Sequence, residues 1–181
     1  DYAMSVEVDG QFSVPSLGRL FTHIDKWDIL SGGSYVPPTD SMMRLAIANG
    51  EKFKVPFYDH WATRLDSDED FWDNKIKDGE TLFQSGLSSL NPQDLVTLPD
   101  DILPVYSTFN LVCLYRMKAI TEGCQFAGYS EHLQSFDCDT TVICEKFRKA
   151  GYNRIGMMPH LKVFNDPKLQ VSASAIDYKY N

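Results

Sequence analysis

The stretch "DTTVICEKFRKAGYNRIGMMPHLKVF", residues 139–164, constrains the fold more than any other part of the chain. Asp139 or Thr140 can cap a helix in which Val142, Ile143 and Phe147 share one face; Lys146, Arg148 and Lys149 suit its carboxyl end, and Gly151 stops it. An apolar run follows at once, is broken by Pro159, and reads as a strand. Similar alternation recurs along the chain. Asp1 to Asp9 reads as a strand closed by a Gly10 turn, and Ser16 to His23 as a short helix capped by Ser16, with Leu17, Leu20, Phe21 and Ile24 at helical spacing. "DKWDIL" leads into a second strand stopped by "SGG", and a helix runs from the Thr39/Asp40 cap to Gly50. Tyr106 to Tyr115 is apolar enough for a buried strand or hairpin, with a short helix from Met117 to Glu122 after it. Alternating strands and helices point to an α/β layered fold, a mixed sheet flanked by helices.

From Glu51 to Pro104 the periodicity fades beyond Glu69 to Lys77, so long loops with short elements are expected there, and such loops usually bind something. There is no repeat or linker, and residues 1–181 read as a single domain. An N-terminal strand usually follows a turn or a cap, so a chain that opens on a core strand is expected to have sequence before it.

Charge narrows the partners. Lys and Arg number 17 against 25 Asp and Glu, a net charge of −8, and the basic residues are scattered, so nucleic acid is not the expected partner. No apolar stretch reaches the roughly 18 residues of a membrane span, and the first residues lack the order of a signal peptide, so the chain as given reads as soluble. Cys113, Cys124, Cys138 and Cys144 show no zinc-site spacing and read as buried thiols. The lack of an Asn-x-Ser/Thr sequon favours a reducing compartment, the cytoplasm; the Golgi lumen is the alternative if preceding sequence carries an anchor.

Two acidic sites carry the chemistry. In "SVEVDGQF", Glu7 and Asp9 stand at i and i+2, which on a strand places two hard oxygen ligands on one side, beside a flexible glycine. A solvated turn is the plain alternative. The apolar strand before the pair favours the carboxyl edge of an α/β sheet, where ligands bind. In "SFDCDTTVICEKF", Asp137 and Asp139 stand at the start of the clearest helix. Capping explains Asp139, yet a carboxylate held at a helix start also suits a general base that takes a proton from a hydroxyl. Asp59, Trp61 and Arg64 in "FYDHWATR" combine an acceptor, a stacking face and a cation, as a sugar-gripping loop would; the alternative is a loop packed on its own aromatics around an Asp–Arg pair. Trp27, Trp72, Phe71 and Phe83 read as packing, and Glu69, Asp70 and Asp73 as a solvated face.

In order and content these motifs resemble those of glycosyltransferases of the GT-A fold, especially fungal capsule mannosyltransferases and large-virus glycosyltransferases. The likeness rests on "SVEVDGQF" as an Asp-x-Asp-type metal motif, "VPFYDHWATR", "LPVYSTFNLVCLYR" and "FDCDTTVICEKFRKAGYNRIGMMPHLKVF". It implies that Glu7 and Asp9 hold Mn²⁺ or Mg²⁺ against the diphosphate of a nucleotide-sugar donor, with His160 placed where some of these enzymes carry a third metal ligand. It further implies that Asp139, or else Asp137, deprotonates the hydroxyl of a glycan acceptor in an inverting hexosyl or deoxyhexosyl transfer, and that Asp59, Trp61, Arg64 and Asn110 contact substrate. Three positions depart from the pattern: Glu7 replaces Asp, Cys138-Asp139-Thr140 replaces Cys-Glu-His, and Leu111 stands where glycine is common after Phe109-Asn110. In this fold a nucleotide-binding βαβ half precedes the metal motif, so the chain reads as the acceptor- and metal-binding portion of such an enzyme. A non-catalytic carbohydrate-binding or assembly module is the alternative. A metal-dependent phosphohydrolase is disfavoured, because no clustered Asp/His set for two metals is evident.

Overall fold

The computed structural model describes residues 1–6, 10–11, 14–37, 39–50, 55, 57–59, 61–65, 92–98 and 101–165. In chain order they form β1 (Tyr2–Val6), β2 (Gly10–Gln11), α1 (Val14–Phe21), a 3-10 turn (Ile24–Lys26), β3 (Ile29–Tyr35), α2 (Asp40–Ala48) and a second 3-10 turn (Pro92–Leu95). There follow β4 (Leu103–Pro104), β5 (Val112–Arg116), α3 (Met117–Thr121), β6 (Tyr129–Ser130), β7 (Ser135–Phe136), α4 (Asp139–Lys149) and β8 (Ile155–Asn165). Six strands make one mixed sheet in the order β1-β5-β3-β8-β2, with β4 also paired to β8; β6 and β7 form a separate hairpin. The expectation of a mixed sheet flanked by helices is met.

Period-two alternation sorts the core onto the two faces of the sheet. Ile29, Cys113, Tyr115, Ile155 and Met157 pack with Ile143, Cys144 and Phe147 of α4 and with Val105 and Phe109. Their neighbours Leu30, Val112, Leu114, Met158, Leu161 and Val163 pack with Leu20 of α1, and Leu17 and Ile24 lie against this second cluster. Both faces of the central strands are therefore covered.

The sequence expectation that "SGG" ends the second strand is corrected, because β3 runs through it to Tyr35 and is buried throughout. The parallel pairing of β3 with β8 jumps from Ser31↔Met157 to Gly33↔Lys162, so β8 bulges where Pro159 falls. The glycines make room for that bulge: a Cβ on Gly33 would stand 2.8 Å from the Pro159 carbonyl oxygen, and one on Gly32 2.9 Å from that of Leu161. The Tyr35 hydroxyl donates to the same Pro159 carbonyl at 2.6 Å. Pro159 thus shifts the register of the last strand and does not end it.

Topology sets which ends of the elements meet. β1 and β3 each run antiparallel to β5, and β8 runs parallel to β3, so β1, β3 and β8 share a carboxyl edge. The turn at Asn110 and Leu111 leads into β5 at that edge. α4 returns through Gly151 (φ 89°) to the amino end of β8, which leaves its own amino end directed toward the carboxyl edge. Its C-terminal part is anchored low, with Arg148 Nη2 donating to Val105 O at 2.8 Å while Val105 N donates to Ile155 O at 3.1 Å.

At the opposite edge Asp28 ties three strands. Its Oδ1 lies 2.7 Å from Arg116 Nε and 2.9 Å from Arg154 Nη2, and its Oδ2 accepts from Arg154 N at 3.1 Å. Burial alone would raise this carboxyl, but the hydrogen bonds from Arg154 and the two nearby cations outweigh it and hold it below the usual carboxylate range. A depressed folded value means that the stabilisation is fully present above the unfolded value of about 4 and is lost as pH falls through the folded one. Asp28→Asn is expected to cost about 2–3 kcal/mol at pH 7, somewhat under the range for a fully buried pair because Arg154 reaches solvent. Urea unfolding should show the wild-type and variant midpoints converging as pH falls below the unfolded value of about 4; a gap unchanged by pH would remove the electrostatic explanation.

Candidate functional site

The carboxyl edge gathers a buried polar cluster built from the 57–65 loop, the 107–111 turn, β3 and the start of α4. Asn110 is its hub. Its Oδ1 accepts from Ser34 N at 3.2 Å and Ser34 Oγ at 2.9 Å, and its Nδ2 donates to Thr108 Oγ1 at 2.7 Å with Ser31 Oγ and Thr63 Oγ1 each at 3.2 Å. Asp59 holds the backbone around it, Oδ2 accepting from Asn110 N at 2.8 Å and Oδ1 from Ala62 N at 3.2 Å. Asn110 and Leu111 take left-handed φ values of 54° and 64°. Leucine is costly there, and packing against Leu20, Leu30 and Leu161 retains it. A glycine here would adopt the same turn more easily.

Arg64 and Asp137 form an ion pair at 2.7 Å, with side chains only 4% and 5% exposed. Arg64 therefore reaches out of its own loop to the start of the helix. Asp137 Oδ1 also accepts from Cys138 N at 2.7 Å, while Oδ2 is buried with no hydrogen-bond partner. Neither Asp137 nor Asn110 is open to a ligand.

Helix α4 begins one residue earlier than Asp139 capping would require and two earlier than Thr140 capping: Cys138 is the N-cap (φ −57°, ψ 129°), with a carbonyl that accepts from Thr141 N and Val142 N, each at 3.0 Å. The reason is that Asp137 already holds the Cys138 amide. Asp139 consequently falls in the first helical turn, exposed, with Cys138 Sγ 4.0 Å from its Oδ1. Burial raises the Cys138 thiol, against hydrogen bonds from Thr140 that lower it. Burial also pushes Cys144 up to about 12. All four cysteines are free thiols, and Cys113, Cys124 and Cys144 are buried.

Trp61 is 45% exposed and Tyr58 44%, both on the loop that Arg64 ties to the helix start. His160 sits apart from this cluster on the β8 bulge, partly exposed, its Nε2 buried without a hydrogen-bond partner. Burial first, then Lys162 and Arg19, lower its pKa against a smaller opposing effect of Asp101, which favours neutral imidazole. Glu7 and Asp9 lie outside the described residues, between the end of β1 at Val6 and the start of β2 at Gly10, as do Trp72, Phe71, Phe83, Glu69, Asp70 and Asp73. Among the described residues no three His, Cys, Asp or Glu side chains are grouped to hold a metal ion. The orphaned, neutral His160 nitrogen fits a ligand to a borderline cation, although Lys162 and Arg19 would oppose the added charge.

Sequence reading missed the hydroxyls of Ser31, Ser34, Thr63 and Thr108. Their signal was available: small polar residues set inside otherwise apolar runs. It also missed the β6–β7 hairpin, whose two-residue strands leave no periodicity to detect. No protein-family model matches the chain, and no curated protein is found to be similar to it. Among the described residues no helix is long and apolar enough to cross a membrane.

Proposed function

We propose that the chain is the acceptor- and metal-binding portion of a GT-A-type glycosyltransferase that moves a hexosyl or deoxyhexosyl group from a nucleotide-sugar to a glycan hydroxyl with inversion. The observation that carries this reading is Asp139: an exposed carboxylate in the first turn of α4, whose amino end faces the carboxyl edge of the sheet where β1 ends at Val6. Asp139 takes the proton of the acceptor hydroxyl as its oxygen bonds to the anomeric carbon; the bond from that carbon to the diphosphate breaks with its electron pair on the leaving oxygen. Trp61 offers its exposed ring to a sugar face. Mn²⁺ or Mg²⁺, hard cations suited to the carboxylates of Glu7 and Asp9, would supply positive charge against the leaving diphosphate. The buried cluster around Asn110 and Asp59 fixes the loops that carry these groups and does not touch substrate.

Titration calorimetry with GDP and UDP tests the donor side. Nucleotide affinity is expected to fall at least about tenfold when the divalent cation is chelated, because the phosphate oxygens share its coordination sphere. Equal affinity with and without metal would overturn the metal role. A non-catalytic carbohydrate-binding module is the second reading, favoured by the internal pairing of Asp137 and Asp59; saccharide binding without transfer from any UDP- or GDP-sugar would select it.

A further inference from the structure

We propose that Arg64 and Asp137 are a positioning pair, whose ion pair pins the first turn of α4 to the loop bearing Trp61 and so fixes where Asp139 stands. The pair adds a link at the amino end of α4, whose carboxyl end is tied to Val105 and Tyr106 through Arg148. On the helix side, Asp137 Oδ1 holds Cys138 N at 2.7 Å, and Asp137 N donates to Gly128 O at 3.0 Å. On the loop side, Arg64 N donates to Ser107 O at 3.0 Å, Arg64 O accepts from Tyr106 N at 2.7 Å, and Ser107 Oγ donates to Ala62 O at 2.7 Å. Cys138, the single residue between Asp137 and the exposed Asp139, is thereby held from the guanidinium outward.

Stability alone is a poor explanation for the pair. Burying two charges recovers its desolvation cost only when the remaining polar atoms are also satisfied, and Asp137 Oδ2 is buried with no hydrogen-bond partner. An apolar pair of similar volume would fill the site without that deficit. What it would lose is the directional hold on Cys138 N and on Arg64's loop.

Cys138 is a built-in reporter, half-buried beside Asp137, whereas the other three cysteines are buried. Release of the first turn relieves the burial that raises its thiol, so its alkylation must quicken. The test is native-state labelling with iodoacetamide, located by mass spectrometry, in the wild type, in Arg64→Met/Asp137→Leu and in Arg64→Lys. In the apolar double variant Cys138 is expected to react at least about tenfold faster while Cys113 and Cys144 stay protected; Arg64→Lys, which keeps the cation, should remain within about threefold of wild type. If the double variant also exposes Cys113 or Cys144, Arg64→Gln is read against the same two rates. An unchanged Cys138 rate in a folded variant overturns the pinning, whatever transfer assays give.

A second arm rests on the transferase reading. There the double variant should lose about 10²-fold in kcat with the donor KM within about twofold, the pattern of a misplaced base and not of a lost binding contact. Normal kcat despite a freed Cys138 would overturn the positioning of Asp139. A wild type that transfers from no UDP- or GDP-sugar, with Cys138 freed in the variant, overturns the transferase reading and leaves the pinning supported.

Discussion

Asp139→Asn is expected to lower sugar transfer by about 10²–10⁴-fold, the range for loss of a general base, while the protein melts within a few degrees of wild type. The two halves of this expectation have separate causes. Asp139 is exposed and is not the N-cap, so its replacement removes only the favourable placement of a negative charge in a first helical turn, worth less than about 1 kcal/mol. An amide, however, cannot accept the proton of an attacking hydroxyl at neutral pH. Asp137→Asn is the contrasting variant. It removes the carboxylate that Arg64 meets at 2.7 Å in a site only 4% exposed, so stability should fall by about 3–5 kcal/mol, and transfer by the folded fraction should fall as well because the first turn that carries Asp139 is released. Initial rates and thermal melts on the two variants make the comparison. Near-normal transfer by Asp139→Asn would leave the proposed mechanism without its base.

The elements that were legible in the sequence are those whose signals are local. α4 matches its reading because apolar spacing, basic last turn and Gly151 all agree, and α2 starts at Asp40 within the expected Thr39/Asp40 cap. β3 runs past its expected end: glycines in a strand ordinarily signal a stop, and only the β8 bulge at Pro159, far along the chain, explains why two glycines belong there. At the site the residue types were legible but their partners were not. Arg64 and Asp59, five residues apart, suggested a local pair; in the fold Arg64 meets Asp137 and Asp59 meets the Asn110 amide. Spacing along a loop does not specify which distant element will dock on it. Asn110, expected to touch substrate, lies in the right neighbourhood, but its side chain is buried and hydrogen-bonded to Ser31, Ser34, Thr63 and Thr108, with Met157 Sδ also 3.0 Å from Nδ2.

That enclosure gives Asn110→Ala a large expected loss of stability, about 3–5 kcal/mol, or roughly 10 °C in Tm for a domain of this size. The orientation of the amide is fixed by chemistry: Ser34 N can only donate, so Oδ1 must face it, and Nδ2 must face the Ser31, Thr63 and Thr108 hydroxyls. Alanine strands the Ser34 amide in a site with no exposure, and each buried polar group left unpaired costs about 1–3 kcal/mol. Alanine also resists the left-handed backbone at φ 54°, which asparagine tolerates, by about 1 kcal/mol or more. The two contributions can be separated, because Asn110→Gly removes the same side chain yet accepts the backbone. Urea unfolding should therefore place Asn110→Gly between wild type and Asn110→Ala. If alanine costs under about 1 kcal/mol, the hub is not what holds β3, the 57–65 loop and the turn before β5 together. If glycine is no better than alanine, the left-handed turn is not strained, and Leu111 at φ 64° needs no packing to keep it there.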